Sequence, residues 1–195
     1  MPRKDIEVKT HDDVTLCGWL YAPASVSEDQ KLPVIIMSAG WASLKEMSLD
    51  QSADAFVAKH PVAALMSDMQ NTITYAQGLP KIEAGKIAFW GSSYNGGHVS
   101  QVTATEKRMK AASMVSGWET LLRLIRPDLM PSINAMFAGN RLARAAGQAV
   151  ATVSVSDANP LIPSSLPSAE AFAFYTELEL KLEGKWKNES NSSES

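Results

Sequence analysis

Hydrophobic and polar positions alternate at the start of the chain, then gather into short solid runs separated by helical stripes. Ile6, Val8 and Thr10, followed by Val14, Leu16, Gly18 and Leu20, alternate on either side of His11-Asp12-Asp13, a pattern that predicts an antiparallel hairpin. Pro23 to Lys31 reads as a polar loop. Leu32-Pro-Val-Ile-Ile-Met37 is an apolar, β-branched run ending in Ser38-Ala39-Gly40, and it predicts a strand covered on both faces. Leu49, Ala53, Phe56 and Val57 recur at helical spacing, and so do Met66, Met69, Ile73 and Ala76. The two stripes predict helices over 49–59 and 62–77, joined directly through Lys59-His60-Pro61, with Pro61 disfavouring helical geometry at His60.

The stretch from Lys86 to His98 carries the strongest local signal. Ile87, Ala88, Phe89 and Trp90 suit a buried strand, Gly91 removes bulk two residues before Ser93, and Gly96-Gly97 remove bulk after it, where a helix must turn back against that strand. Such a strand–turn–helix with a serine at the break is a nucleophile elbow. It predicts a positive φ at Ser93, a strand ending near Trp90 and a helix beginning near Tyr94, whose backbone amide would lack an intrahelical acceptor and could face an oxyanion. A strict Gly-x-Ser-x-Gly needs glycine at position 95, where this chain has Asn95.

After the elbow, Ala111 to Gly117 fits another strand, Trp118 to Ile125 a helix, and Ile133 to about Gln148 an alanine-rich helix. Asp157 to Pro167 reads as a loop. Pro167-Ser168 opens a helix through Leu182, with Ala171, Tyr175, Leu178 and Leu182 along one side. Residues 184–195 lack an apolar period and are predicted to fray. No repeat or linker divides the chain, so residues 1–183 read as a single domain and 184–195 as a polar tail.

Composition narrows the chemistry. Eighteen basic and 21 acidic residues give a net charge of −3 with no long block of either sign, which argues against nucleic acid or an anionic membrane as partner and for a small molecule. Cys17 is the single cysteine and, in an apolar strand, is expected to be a buried structural thiol. The first residues lack an apolar signal-type core, and no run of about 18 apolar residues occurs, so the expected location is the cytoplasm. Asn188 and Asn191 match glycosylation sequons but read as polar tail.

A serine nucleophile needs a base, and His11, His60 and His98 are the only histidines. His98 lies more than one turn beyond Ser93 at a different azimuth, His11 falls in the hairpin turn, and His60 lies between two helices; none is an apt base. Asp128 and Asp157 follow the elbow, but neither is followed by a histidine, so the order serine, acid, histidine is not completed. No metal-ligand spacing and no nucleotide-binding glycine loop occurs, so neither a metal nor a cofactor is expected.

The blocks Val34-Ile-Ile-Met-Ser-Ala-Gly40-Trp41, Leu44-Lys-Glu-Met47 and Trp90-Gly-Ser-Ser-Tyr-Asn-Gly-Gly-His98, with Gly184-Lys-Trp-Lys-Asn188, resemble the α/β-hydrolase superfamily. The likeness is to its dienelactone-hydrolase-like branch, which includes fungal polyketide transferases and thiohydrolases, and it extends over nearly the whole chain. The resemblance implies Ser93 as nucleophile and the backbone amides of Tyr94 and Trp41 as the oxyanion hole, acting on esters or thioesters with transfer of the acyl group to water or to an acceptor alcohol.

Three departures qualify that implication. Ala39-Gly40 stands where the family has His-Gly. Lys59-His60-Pro61 stands where the family has another strand, and its loss would leave a three- or four-strand parallel core with abnormal connections. The chain also stops before the family's late strands, which carry the catalytic aspartate and histidine. The expected fold is therefore α/β, an incomplete α/β-hydrolase-type sandwich with an N-terminal antiparallel hairpin, a short mostly parallel sheet, flanking helices and C-terminal lid-like helices. The expected function is a serine-dependent ester or thioester hydrolase or polyketide acyltransferase of secondary metabolism, with an acyl ester or thioester as its small-molecule partner. The alternative is a non-catalytic truncated hydrolase remnant or interaction protein.

Overall fold

The computed structural model describes residues 3–27, 29–60, 62–66, 69–115, 127–149, 152–159, 161, 162 and 164–191. Contacts gather into two units, 1–121 and 122–195.

The first unit is built on a six-stranded sheet. Strands β1 (Arg3–Lys9) and β2 (Thr15–Tyr21) form the expected antiparallel hairpin, with Ile6 opposite Gly18 and Val8 opposite Leu16. Its turn is closed by the Thr10 N–H to the Val14 carbonyl at 2.9 Å, with Asp13 at φ 63°. Next come β3 (Leu32–Ser38), helix α1 (Leu49–Lys59), β4 (Ala63–Met66), α2 (Met69–Gln77), β5 (Ile82–Ser92), α3 (Tyr94–Thr105) and β6 (Met109–Val115). The spatial order is β1-β2-β4-β3-β5-β6, and β4, β3, β5 and β6 are mutually parallel.

Strand β4 corrects the expectation of a helical pair. Residues 62–77 are not one helix, and no strand has been deleted between the two helices: Ala63, Ala64, Leu65 and Met66 pair with Val34, Ile35, Ile36 and Met37 of β3, and the antiparallel β2 closes β4's other side. The connections β3–α1–β4 and β4–α2–β5 are consequently ordinary crossovers. Extended geometry at His60, φ −135° and ψ 147°, stops α1, as a following proline favours. The Val62 N–H then donates to the His60 carbonyl at 2.8 Å, so the chain enters β4 almost at once. A four-residue apolar run is too short for its period to declare strand or helix, and Met66 happens to stand in phase with the α2 stripe.

Each face of the sheet has its own core. Val8, Val34, Ile36, Ile87 and Phe89 meet Met69, Ile73 and Ala76 of α2 and Val99 of α3 on one side. Trp19, Tyr21, Met37 and Ala64 meet Leu49, Ala53 and Val57 of α1 on the other, where Phe56 lies edge-on to Trp90. Cys17 is exposed, contrary to the expectation of a buried thiol. It shares a sheet face with Trp19 and Tyr21, which α1 covers, whereas that cover does not extend to position 17.

In the second unit, a short 3₁₀ turn (Pro127–Leu129) leads into α4 (Met130–Ala145), and α5 (Ala169–Leu182) is capped by the Ser168 hydroxyl, which accepts the Ala171 N–H at 3.0 Å. The helix expected over 118–125 lies outside the described residues. The segment expected to fray is instead held as far as residue 191. Strands β7 (Thr152–Val153) and β8 (Ser190–Asn191) pair, Trp186 stacks on Tyr175 with centroids 5.1 Å apart, and Asn188 bonds both backbone groups of buried Ser156. Its Nδ2 donates to the Ser156 carbonyl at 2.8 Å, so a glycan on Asn188 would compete with that bond. No helix among the described residues is long and apolar enough to cross a membrane.

Candidate active site

Strand β5 runs through Ile87 and Phe89 in the core and ends at Ser92, and α3 begins at Tyr94. Between them Ser93 has φ 57° and ψ −124°, a conformation that a β-substituted residue adopts at a cost of about 1–3 kcal/mol and that neighbouring structure must enforce. Two bonds, one on each side, do so: the Ser93 N–H donates to the Val115 carbonyl of β6 at 2.7 Å, and its own carbonyl accepts the Gly96 N–H at 3.0 Å.

Gly91 is where the strand and the returning helix come closest. A Cβ there would stand 2.5 Å from the Asn95 carbonyl oxygen and 2.7 Å from Val99 Cγ2. Of the later glycine pair, Gly96 faces the packed side of α3, whereas Gly97 is exposed and a Cβ on it would meet nothing within 4 Å. The close approach is thus at position 91, while Gly96 is buried.

The loop after β3 comes up against the elbow. A Cβ on Gly40 would stand 3.2 Å from Ser93 Cβ and 3.7 Å from Ser93 Oγ. The turn continues through Trp41 and Ala42, the latter at φ 52°, and closes with the Ser43 N–H on the Gly40 carbonyl at 3.2 Å. The Ser43 hydroxyl donates to the Trp41 carbonyl at 3.2 Å. The Trp41 ring lies edge-on to Tyr94 at 4.8 Å between centroids, and Tyr94 in turn lies edge-on to His98 at 4.5 Å. Ser93, Tyr94 and Trp41, singled out from the sequence, are therefore neighbours around one elbow, with the Tyr94 amide in the first turn of α3, where helix geometry provides no acceptor four residues back.

Asn95, noted in the sequence only as a departure from glycine, is the residue that sequence reasoning missed. Its Nδ2 donates to the Ala39 carbonyl across a separation of 56 residues. The only sequence signal was its place two residues after Ser93.

The three histidines are dispersed. His11 is in the exposed hairpin turn, His60 is exposed at the end of α1, and His98 is half-buried against the Tyr94 ring. Among the described residues no hydrogen bond joins any of them to Ser93. Asp157, in the second unit, uses its carboxylate to accept the Asn159 N–H at 2.8 Å, a local turn. An ion pair lies at the other end of α3, where Arg108 donates to both carboxylate oxygens of Glu106 at 2.9 and 2.6 Å and holds that carboxyl at about 2. Twelve residues of helix, about 18 Å, separate it from the elbow. Among the described residues no cluster of three His, Cys, Asp or Glu side chains is arranged to hold a metal ion.

No protein-family model matches the chain. It is 25% identical over 179 residues to a thiohydrolase from Eupenicillium brefeldianum, covering 79% of this chain and 55% of that protein. It is 29% identical over 139 residues to the polyketide transferase grgF from a Penicillium species, covering 60% of this chain and 45% of that one. The crystal structure of the α/β hydrolase GrgF from Penicillium sp. sh18 superposes with a TM-score of 0.70 at 22% identity, over 98% of this chain and 71% of that chain. The chain spans about half the length of the curated relatives it matches.

Proposed function

We propose, from the α/β-hydrolase fold that this chain carries and its likeness to thiohydrolases and polyketide transferases, that it performs acyl chemistry on a small ester or thioester through Ser93. The observation that supports this most directly is the backbone of Ser93, which lifts the hydroxyl out of the strand and sets it at the start of a helix.

In this reading Ser93 Oγ attacks the acyl carbonyl carbon and passes its proton to solvent water as the new C–O bond forms. The carbonyl oxygen becomes an oxyanion facing the amides of Tyr94 and Trp41. Collapse of that intermediate expels the thiolate or alkoxide and leaves the acyl group on Ser93, from which water or an acceptor hydroxyl removes it. Deprotonation is the weak step. No described imidazole is bonded to Ser93, and a site working through its oxyanion hole and binding alone retains only about 10³–10⁴-fold over water.

That same observation favours a second reading, a hydrolase scaffold that binds without turning over. The two part on one experiment: incubation with short acyl thioesters and activated aryl esters, intact-mass detection of an acyl adduct, and Ser93→Ala as control. A Ser93-dependent adduct supports the acyl-enzyme. A folded sample showing neither adduct nor product would leave the scaffold reading standing.

A further inference from the structure

We propose that Asn95 is a positioning residue: its carboxamide ties the Ala39–Gly40–Trp41 turn to the helix that carries the Tyr94 amide and thereby sets where the Trp41 amide stands relative to it. This deepens the acyl-enzyme reading and rests on it for its catalytic consequence.

Three successive carbonyls of this turn are each engaged. The Ala39 oxygen accepts from Asn95 Nδ2, the Gly40 oxygen from the Ser43 N–H, and the Trp41 oxygen from the Ser43 hydroxyl. In a trans peptide the C=O and N–H of one unit point in opposite directions. Holding the Gly40 carbonyl toward Ser43 therefore aims the Trp41 N–H the other way, and holding the Ala39 carbonyl does the same for the Gly40 N–H. Two of these bonds arise within the turn and travel with it. The bond from Asn95 joins the turn to α3, the element that carries the Tyr94 amide.

Asn95 is suited to that task because its own backbone packs closely against β5. Its carbonyl oxygen is the atom nearest to a Cβ built on Gly91, so the first turn of α3 is seated on β5. From that seat a side chain with a carboxamide N–H two atoms beyond Cβ reaches Ala39, and both groups are half-buried, where a lost partner is felt. Glycine at position 95 would satisfy the strict elbow pattern and remove the tie. Ala39 contributes only a methyl group to this loop, so the tie comes from the helix side.

The test compares the unsubstituted chain with Asn95→Ala and Asn95→Asp, the second replacing the donor by a carboxylate that repels the Ala39 carbonyl. Two readouts are taken. In the first, Ser93 acylation by an activated aryl ester is followed by mass at several ester concentrations. Both variants should acylate about 10–100-fold more slowly with the half-saturating ester concentration within twofold, since loss of one whole oxyanion donor lowers rates by about 10²–10³. Equal acylation rates, or a change confined to the half-saturating concentration, overturn the proposal. In the second, amide hydrogen exchange is measured: the amides of residues 40–43 should exchange at least tenfold faster in both variants, while those of residues 97–105 do not. Unchanged exchange at 40–43 overturns the tie whether or not Ser93 reacts. Absence of an adduct in the unsubstituted chain sinks the acyl-enzyme reading and with it the catalytic consequence of Asn95, while the exchange result separately decides whether the turn is held.

Discussion

Gly91 and Asn95 share one small space: a Cβ on Gly91 would fall 2.5 Å from the Asn95 carbonyl oxygen, closer than real Cβ contacts come. The obstacle is helix backbone, which cannot rotate away as a flexible side chain can. Gly91→Ala should therefore displace the first turn of α3 and destabilise the first unit by about 1–3 kcal/mol, the range for overpacking a filled interior. Gly97→Ala, six residues on, should be neutral or slightly stabilising, because that position is open and Ala favours helix over Gly. Thermal unfolding of the two variants checks the contrast, and equal losses would contradict it.

The Glu106–Arg108 pair predicts a pH dependence. Arg108 side-chain donors, then its backbone N–H, hold the Glu106 carboxyl at about 2 against an ordinary 4.5. A carboxyl with a lowered folded-state pKa stabilises above its unfolded value, and that contribution is lost as pH falls from about 4.5 through about 2. Partial exposure keeps it within about 1 kcal/mol. Urea midpoints of the unsubstituted chain and Glu106→Gln should differ near neutral pH and converge as pH approaches 2; a constant gap would show that the pair does not act through this proton. Arg108 also donates to Thr74 and Gln77 of α2, so Arg108→Ala should cost more than the charge alone.

Asn188 predicts order at the chain's polar end. Replacing it by Ala leaves both the N–H and the carbonyl of buried Ser156 without their side-chain partner, a cost of about 1–3 kcal/mol for each group left unsatisfied. Limited proteolysis should then cut within 184–191 well before it cuts the unsubstituted chain. Identical cleavage patterns would mean that the Trp186–Tyr175 stack is sufficient.

Strand β6 predicts a solubility phenotype. It is the last strand of the sheet among the described residues, and Met114 and Val115 are 53% and 46% exposed on it. Exposed apolar side chains on an outer strand of this kind invite association. Met114→Lys should lower concentration-dependent light scattering while leaving the unfolding midpoint within about 0.5 kcal/mol of stability. A large loss of stability would instead reveal that Met114 is packed in solution.

The sequence alone determined the hairpin around His11-Asp12-Asp13, the buried strand at 32–37, α1 and the elbow at Ser93, because each rests on interactions within a few residues: alternation, helical spacing, and glycine placed where a tight turn needs it. Tertiary structure decided the rest. Ala63-Ala64-Leu65-Met66 became a strand because β2 and β3 offered hydrogen-bond partners on both sides, which no period over four residues can announce. Cys17 came to the surface because α1 covers Trp19 and Tyr21 but not position 17. Asn95 met Ala39 across 56 residues, and Asn188 met Ser156 across 32. Such pairings depend on where folded elements bring distant backbone groups, and a polar side chain read in sequence reveals its capacity to bond without naming its partner.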